Sequence, residues 1–354
     1  MWQVIGQERA LTLLKRGLEA GSLAHAYLFV GPAHVGKMAL ALNLAQALNC
    51  EAAELPCGQC LSCQKIASGK HSDIQTIGLG QGNSAEARPQ AEISIDEIRQ
   101  LQHSVSLPPF EGRYKVFIID GAELLSTEAA NCLLKTLEEP VGKVVFILLT
   151  TSEQLLPATV VSRCQRVELL PLAAAEIESA LKKNWGVEPQ KARLLSRLSH
   201  GCLGWAVRAL DDGLMGQRAD RLAELLDIIQ ADYEGRFAGA AQLATEFGQN
   251  RELVQDKLTL WLDWWRDLML VKAGSTDLIT NVDQVAMLTE MAKAYSLAQI
   301  RNVIENIRVA CAHLRLNANP RLVLEVLMLN LPEAGRKRGR KANVKSENTV
   351  ERRP

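Results

Sequence analysis

Four of the eight cysteines in this chain fall within fourteen residues, at Cys50, Cys57, Cys60 and Cys63. The spacing reads C-x6-C-x2-C-x2-C. Four thiolates so placed can close a tetrahedral, all-cysteine site around Zn2+. Zinc is redox-inert, and four protein ligands leave no position for water, so such a site is structural. A redox C-x-x-C would need only two of these cysteines. The other four, Cys132, Cys164, Cys202 and Cys311, sit singly in apolar or helix-patterned contexts. They do not form a disulfide framework, and a reducing cytoplasm is the expected compartment.

A second set of residues has the chemistry of phosphate binding. The stretch GPAHVGKM, 31–38, follows an apolar run and opens a helix pattern, and it fits G-x-x-x-x-G-K at Gly31, Gly36 and Lys37. Backbone N–H groups of such a loop, with the Lys, cradle phosphates at a helix N-terminus. The next residue should be Ser or Thr, whose hydroxyl holds Mg2+. Here it is Met38, a poor ligand for a hard cation, and His34 adds bulk inside the loop. Further on, YKVFIIDGAELL (114–125) is an apolar strand pattern ending in Asp120, placed to assist Mg2+. Nucleotide hydrolases of this pattern follow that Asp with a Glu that orients the attacking water. This chain has Gly121, and Glu123, two residues on, reads as a solvated carboxylate at a helix start.

These residues need a scaffold that brings strand ends together. AYLFV (26–30), DIQTIGL (73–79), YKVFIID (114–120), VVFILLT (144–150) and QRVEL (165–169) are near-continuous apolar runs, as suits strands buried on both faces of a parallel sheet. Helix patterns over 8–19, 37–48, 94–104, 127–138 and 172–183 alternate with them. The order implies an α/β doubly wound core. Past about residue 170 the strand signals stop and only helix patterns remain. The expected domains are 1–169 with the cysteine module at 50–63, a small helical unit at 170–212, a helical domain at 213–333, and a basic tail at 334–354. The tail, with its run RKRGRK, should be disordered and solubilising, with weak salt-sensitive DNA contact as the sharper alternative. Residues 80–92 read as a polar loop.

The 354 residues carry 40 Lys and Arg against 40 Asp and Glu. No overall field therefore drives the chain onto nucleic acid or membrane. There is no run of 18 apolar residues to span a bilayer and no basic n-region followed by an apolar run to make a signal peptide. The stripe Trp261, Trp264 and Trp265 has helical spacing and reads as helical-domain core or subunit interface before a base-stacking platform.

HAYLFVGPAHVGK, YKVFIIDGAELLSTEAANCLLKTLEEP, LPATVVSRCQRVEL and NANPRLVLEVLMLNL together resemble the bacterial clamp-loader subunits of the AAA+ superfamily, over about residues 1–332. Two branches of that family compete: the ATP-hydrolysing motor subunits (gamma/tau) and the delta-prime branch of DNA polymerase III. The resemblance implies a sensor-2 Arg within SHGCLGWAVRAL (199–210). That position holds Gly204, and Arg208, one turn later, is expected to point elsewhere. With Met38 and Gly121, three groups used in hydrolysis are absent, which favours the delta-prime branch. Ser162-Arg163-Cys164 matches the family's SRC motif, whose Arg reaches a neighbour's ATP site as an arginine finger. Thr150 and Thr151 fall in the sensor-1 region. The four cysteines match the family's zinc module residue by residue.

The resemblance implies a non-hydrolysing stator with weak ATP or ADP binding at Gly31, Gly36, Lys37 and Asp120. Its partners would be the gamma/tau motor subunits, the delta subunit, the sliding clamp and, through the assembled complex, primed DNA. The setting would be cytoplasmic, at the bacterial replisome. The rival readings are a true ATPase motor and a zinc-dependent nucleic-acid-binding module.

Overall fold

The computed structural model describes residues 2–79, 92–138, 142–316 and 318–332. The loop expected at 80–92 falls outside them except for Glu92, and the basic tail falls outside entirely. The chain divides after Leu210 into two compact units.

The first unit is built on five strands: β1 Ala26–Val30, β2 Ile74–Ile77, β3 Lys115–Asp120, β4 Val144–Thr150 and β5 Gln165–Glu168. All are parallel, in the order β2-β3-β4-β1-β5. The expected α/β class and all five expected strands are therefore present. The apolar runs of β1, β3 and β4 follow from burial on both faces, whereas the edge strands β2 and β5, expected to be buried likewise, are mostly half-buried or exposed. Tyr27, Phe29, Val116, Ile118, Ile147 and Leu149 face one core, shared with helices α1 Glu8–Glu19 and α2 Lys37–Asn49. The alternate residues Leu28, Val30, Phe117, Ile119, Phe146 and Leu148 face another. That second core is closed by α4 Ile95–Val105 and α5 Thr127–Glu138, with α3 Leu61–Ala67 lying between α2 and β2 in the chain. Period-two side-chain alternation turns β1, β3 and β4 into a wall between two layers.

Helix α2 is buried on nearly every side. Leu40, Ala41, Leu44, Ala45 and Leu48 pack on the sheet. The buried amides Asn43, Gln46 and Asn49 take up polar partners instead. Asn49 Oδ1 accepts from the backbone N–H of Arg113 and Tyr114 at 2.7 and 2.9 Å. Asp73, just before β2, accepts from three successive amides, Phe110, Glu111 and Gly112, at 2.7–2.8 Å. These two side chains fix the loop that leads into β3.

After α6 Ala158–Val161 and β5, three short helices complete the unit: α7 Ala174–Trp185, α8 Pro189–Leu198 and α9 Leu203–Arg208. The second unit is helical: α10 Asp212–Gln230, α11 Tyr233–Gln249, α12 Arg251–Lys272, α13 Val285–Ala294, α14 Leu297–Arg315 and α15 Pro320–Leu329. Trp261, Trp264 and Trp265 of α12 are each at most 1% exposed and lie in its core. Trp265 meets Tyr295 edge to face at 5.2 Å. The stripe is core, as one of its readings had it. Base stacking requires exposed rings, so it is excluded for these side chains in the described fold.

Candidate nucleotide cleft and metal centre

Strand order reverses at β1, which lies between β4 and β5, and such switch points open a crevice at the carboxyl ends of the strands. Register makes those ends level: Val30 pairs with Thr150 and with Glu168, and Asp120 pairs with Leu149. The phosphate-loop residues 31–36 therefore leave β1 beside Thr150 and close to Asp120. A cleft of about 410 Å3 lies there, lined by His34, Gly36, Lys37, Met38, Asp120, Gly121, Glu123, Thr150, Thr151, Gly204 and Arg208. That volume lies within the usual range of small-ligand sites.

Both loop glycines are required by geometry. A Cβ on Gly31 would sit 2.5 Å from the Leu169 carbonyl, and Gly36 has φ +112°. Lys37 is buried, and its ammonium donates to the carbonyls of Gly31 and Pro32 at 2.6 and 2.8 Å. Burial lowers its pKa, partly offset by the nearby Glu123 and Asp120. Asp120 is raised, first by desolvation and then by Glu123, against the pull of Lys37. Met38 lines the cleft with a thioether where a hydroxyl would be needed.

Glu123 corrects the sequence reading: it is not a solvated carboxylate. It turns into the cleft, where Thr151 donates to its Oε1 from the backbone N–H at 3.0 Å and from the hydroxyl at 2.6 Å. Its Oε2 is buried with no hydrogen-bond partner. Burial pushes its pKa up, but the hydrogen bonds, led by that from the Thr151 side chain, outweigh this and hold it below the ordinary value. Arg208 is a second correction. It is not directed away: it lines the cleft, with its guanidinium 3.3 Å from His34 Nε2.

Gly204 has a structural reason to lack a side chain. Its N–H donates to the His34 carbonyl at 2.9 Å, and a Cβ there would lie 2.7 Å from that oxygen. Helix α9 is thus docked backbone to backbone on the phosphate loop. Gly204→Ala is expected to push α9 off the loop and to cost about 1–3 kcal/mol, as overpacking does. Urea unfolding of the purified chain measures this, and an unchanged midpoint would contradict the tight contact.

Arg163 takes no part in lining this cleft. It follows α6, donates to the Thr159 carbonyl at 2.8 Å and pairs with Glu138 at the end of α5. Its side chain is 34% exposed, so it remains reachable from outside.

The four cysteines converge. Their Sγ atoms all lie within 4.8 Å of one another, and the Cys50–Cys60 sulfurs are 3.9 Å apart. A tetrahedron with Zn–S bonds near 2.3 Å has edges of about 3.8 Å. Cys50 ends α2, Cys60 caps α3 and Cys63 lies in its first turn. Backbone N–H groups point at sulfur: Cys57 to Cys50 Sγ at 3.4 Å, and Gln59 and Cys60 to Cys57 Sγ at 3.4 and 3.2 Å. The amides of Cys60 and Gln59 pull the Cys57 thiol down to about 6. Burial pushes the Cys63 thiol up to about 12. The cluster can hold one metal ion, and an all-sulfur tetrahedral donor set suits zinc.

A phosphate loop at the switch point of a five-stranded parallel sheet, with a strand-end Asp beside it, defines a P-loop nucleotide-binding type of α/β module. The family described as "DNA polymerase III, delta subunit" matches residues 6–173. The tau subunit of DNA polymerase III from Salmonella typhimurium is 38% identical over 60% of this chain. The chain spans about a third (32%) of that relative's length. The delta' subunit of DNA polymerase III from Bacillus subtilis is 29% identical over 92% of this chain and 96% of its own. The chain is thus similar to subunits of DNA polymerase III, with tau and delta' types both among its relatives. A gamma-subunit-related protein from Thermotoga maritima superposes with a TM-score of 0.44 at 17% identity, covering 92% of this chain and 99% of that one. That is too distant to add to what the topology says. Among the described residues, no helix is long and apolar enough to cross a membrane.

Proposed function

We propose that this chain is a delta'-type stator of the DNA polymerase III clamp loader. It would assemble with gamma/tau motor subunits and a delta subunit, and the complex would open the sliding clamp and place it on primed DNA. Residues 213–333 would form the collar that oligomerises, 170–212 the lid, and 334–354 a basic tail. Cys50, Cys57, Cys60 and Cys63 would hold a structural Zn2+. Arg163 would act in trans on a neighbour's nucleotide.

The observation that carries the reading is the contact of Gly204 with the His34 carbonyl. It occupies the place of a phosphate-sensing side chain and ties the loop to α9. Met38 and Gly121 remove the Mg2+ hydroxyl and the water-orienting carboxylate. Gly31, Gly36, Lys37 and Asp120 remain, so weak ATP or ADP binding is compatible with the proposal. Removing even one transition-state donor costs roughly 10²–10³ in rate. The isolated chain is therefore expected to show negligible steady-state ATP hydrolysis. Turnover matching a motor subunit, abolished by Lys37→Ala, would reject the stator reading. Reconstitution with motor subunits, clamp and primed DNA, with and without this chain, tests the whole proposal: loading should require it.

One observation favours the motor as a second reading. Glu123 and Arg208 both reach the cleft, and one Glu123 oxygen is unpartnered. On that reading Glu123→Gln would abolish a measurable intrinsic rate. The stator reading expects no rate to lose.

A further inference from the structure

Helix α2 starts at the phosphate loop and ends at the first metal-ligating cysteine, and two of its buried side chains belong to neither site. Asn43 and Gln46 are 5% and 4% exposed. Buried amides must be paired, or they cost folding free energy. Gln46 Nε2 donates to the Cys63 carbonyl at 2.9 Å, Asn43 Nδ2 donates to Gln46 Oε1 at 3.1 Å, and the Gln3 backbone N–H donates to Asn43 Oδ1 at 2.7 Å. The two ends of this series set its direction. A carbonyl can only accept and a backbone N–H can only donate, so neither amide can flip without placing like against like. The arm at residues 2–5 also lies beside the ligand loop itself: a Cβ on Gly58, between Cys57 and Cys60, would sit 3.8 Å from Gln3 Nε2.

We infer that Gln46, backed by Asn43, positions the Cys63 ligand, and that metal binding at the four cysteines is thereby coupled to docking of the N-terminal arm. The inference rests on the reading of the cysteine cluster as a zinc site. Gln46 does not touch the metal, so it is a positioning residue. Its amide fixes the backbone of the α3 turn that carries Cys63, and it is itself fixed through Asn43 by the arm. Loss of the metal frees that turn, and the relay then loses its anchor at one end. Hydrogen-bonded partners behind metal ligands typically contribute 10–100-fold to metal affinity.

The test uses the full chain, zinc-loaded and zinc-stripped, with Gln46→Met and Asn43→Leu, which remove the polar groups at similar length. Zinc affinity is read by competition with a chromophoric chelator and by the thiolate absorption of the Co2+ form. Arm docking is read by hydrogen exchange at the Gln3 amide. Gln46→Met should weaken zinc about 10–100-fold, and Asn43→Leu should weaken it by a smaller factor. The Gln3 amide should exchange faster in both variants and in stripped wild-type protein, while β1 amides stay protected. The comparison of loaded and stripped wild type needs no variant to fold. Unchanged zinc affinity in both variants, or Gln3 exchange indifferent to stripping, would overturn the coupling and leave the zinc reading standing. Failure of the wild type to take up stoichiometric metal would overturn both.

Discussion

Replacing Cys60 with Ala is expected to reduce bound zinc from about one ion per chain to none after purification. What Ala removes is the Cys60 sulfur, which lies 3.9 Å from that of Cys50, while the backbone N–H that Cys60 donates to Cys57 Sγ stays. Structural zinc contributes about 10–16 kcal/mol in peptides that cannot fold without it. This chain is a different case, because α2 packs on the sheet through Leu40, Leu44 and Leu48 whatever happens at the cysteines. The loss should therefore be local: the segment from Cys50 to α3 should open to protease while the sheet stays folded. Metal analysis and limited proteolysis of freshly purified, reduced protein measure both effects. Wild-type protein without zinc would remove the basis for the prediction.

The three central strands were legible because burial on both faces writes itself as unbroken apolar runs; the two edge runs also became strands, but β2 and β5 are mostly half-buried or exposed rather than buried on both faces. Helix α3 was not foreseen. LSCQKIA is seven residues long, too short for periodicity to speak, and two cysteines hold its start. At the cleft, the residues bound to the loop motif were readable, but those whose role depends on a neighbouring strand were not. Glu123 reaches Thr151, 28 residues away, because β3 and β4 pair in parallel register. No local pattern carries that pairing. Gly204 was seen as a missing Arg, whereas its contact with the distant His34 shows why no side chain fits. Asp73 and Asn49 gave no signal either, since a buried acid or amide that serves a distant loop looks like any other polar residue in sequence.

Arg163→Ala is expected to give the largest functional effect, and to give it in a neighbour. An arginine finger contributes about 10³–10⁵ in rate to the nucleotide site it serves. Its guanidinium is permanently charged and meets phosphate oxygens through a planar fork. In this chain the guanidinium is held by Glu138 and the Thr159 carbonyl, with side-chain exposures of 34% for Arg163 and 49% for Glu138. Ion pairs this exposed contribute about 0–1 kcal/mol, so a neighbour's phosphates can displace Glu138 at little cost. For the same reason the Ala variant should fold and assemble almost as the wild type does. Clamp- and DNA-stimulated hydrolysis by the reconstituted complex, normalised to assembled complex, should fall by the share of the site that Arg163 serves, and loading on primed DNA should slow with it. Arg163→Lys should not restore the rate, because an ammonium lacks the fork. Hydrolysis and loading that stay at wild-type levels with Ala would leave Arg163 as a surface partner of Glu138, and the chain as a scaffold with no part in its neighbour's chemistry.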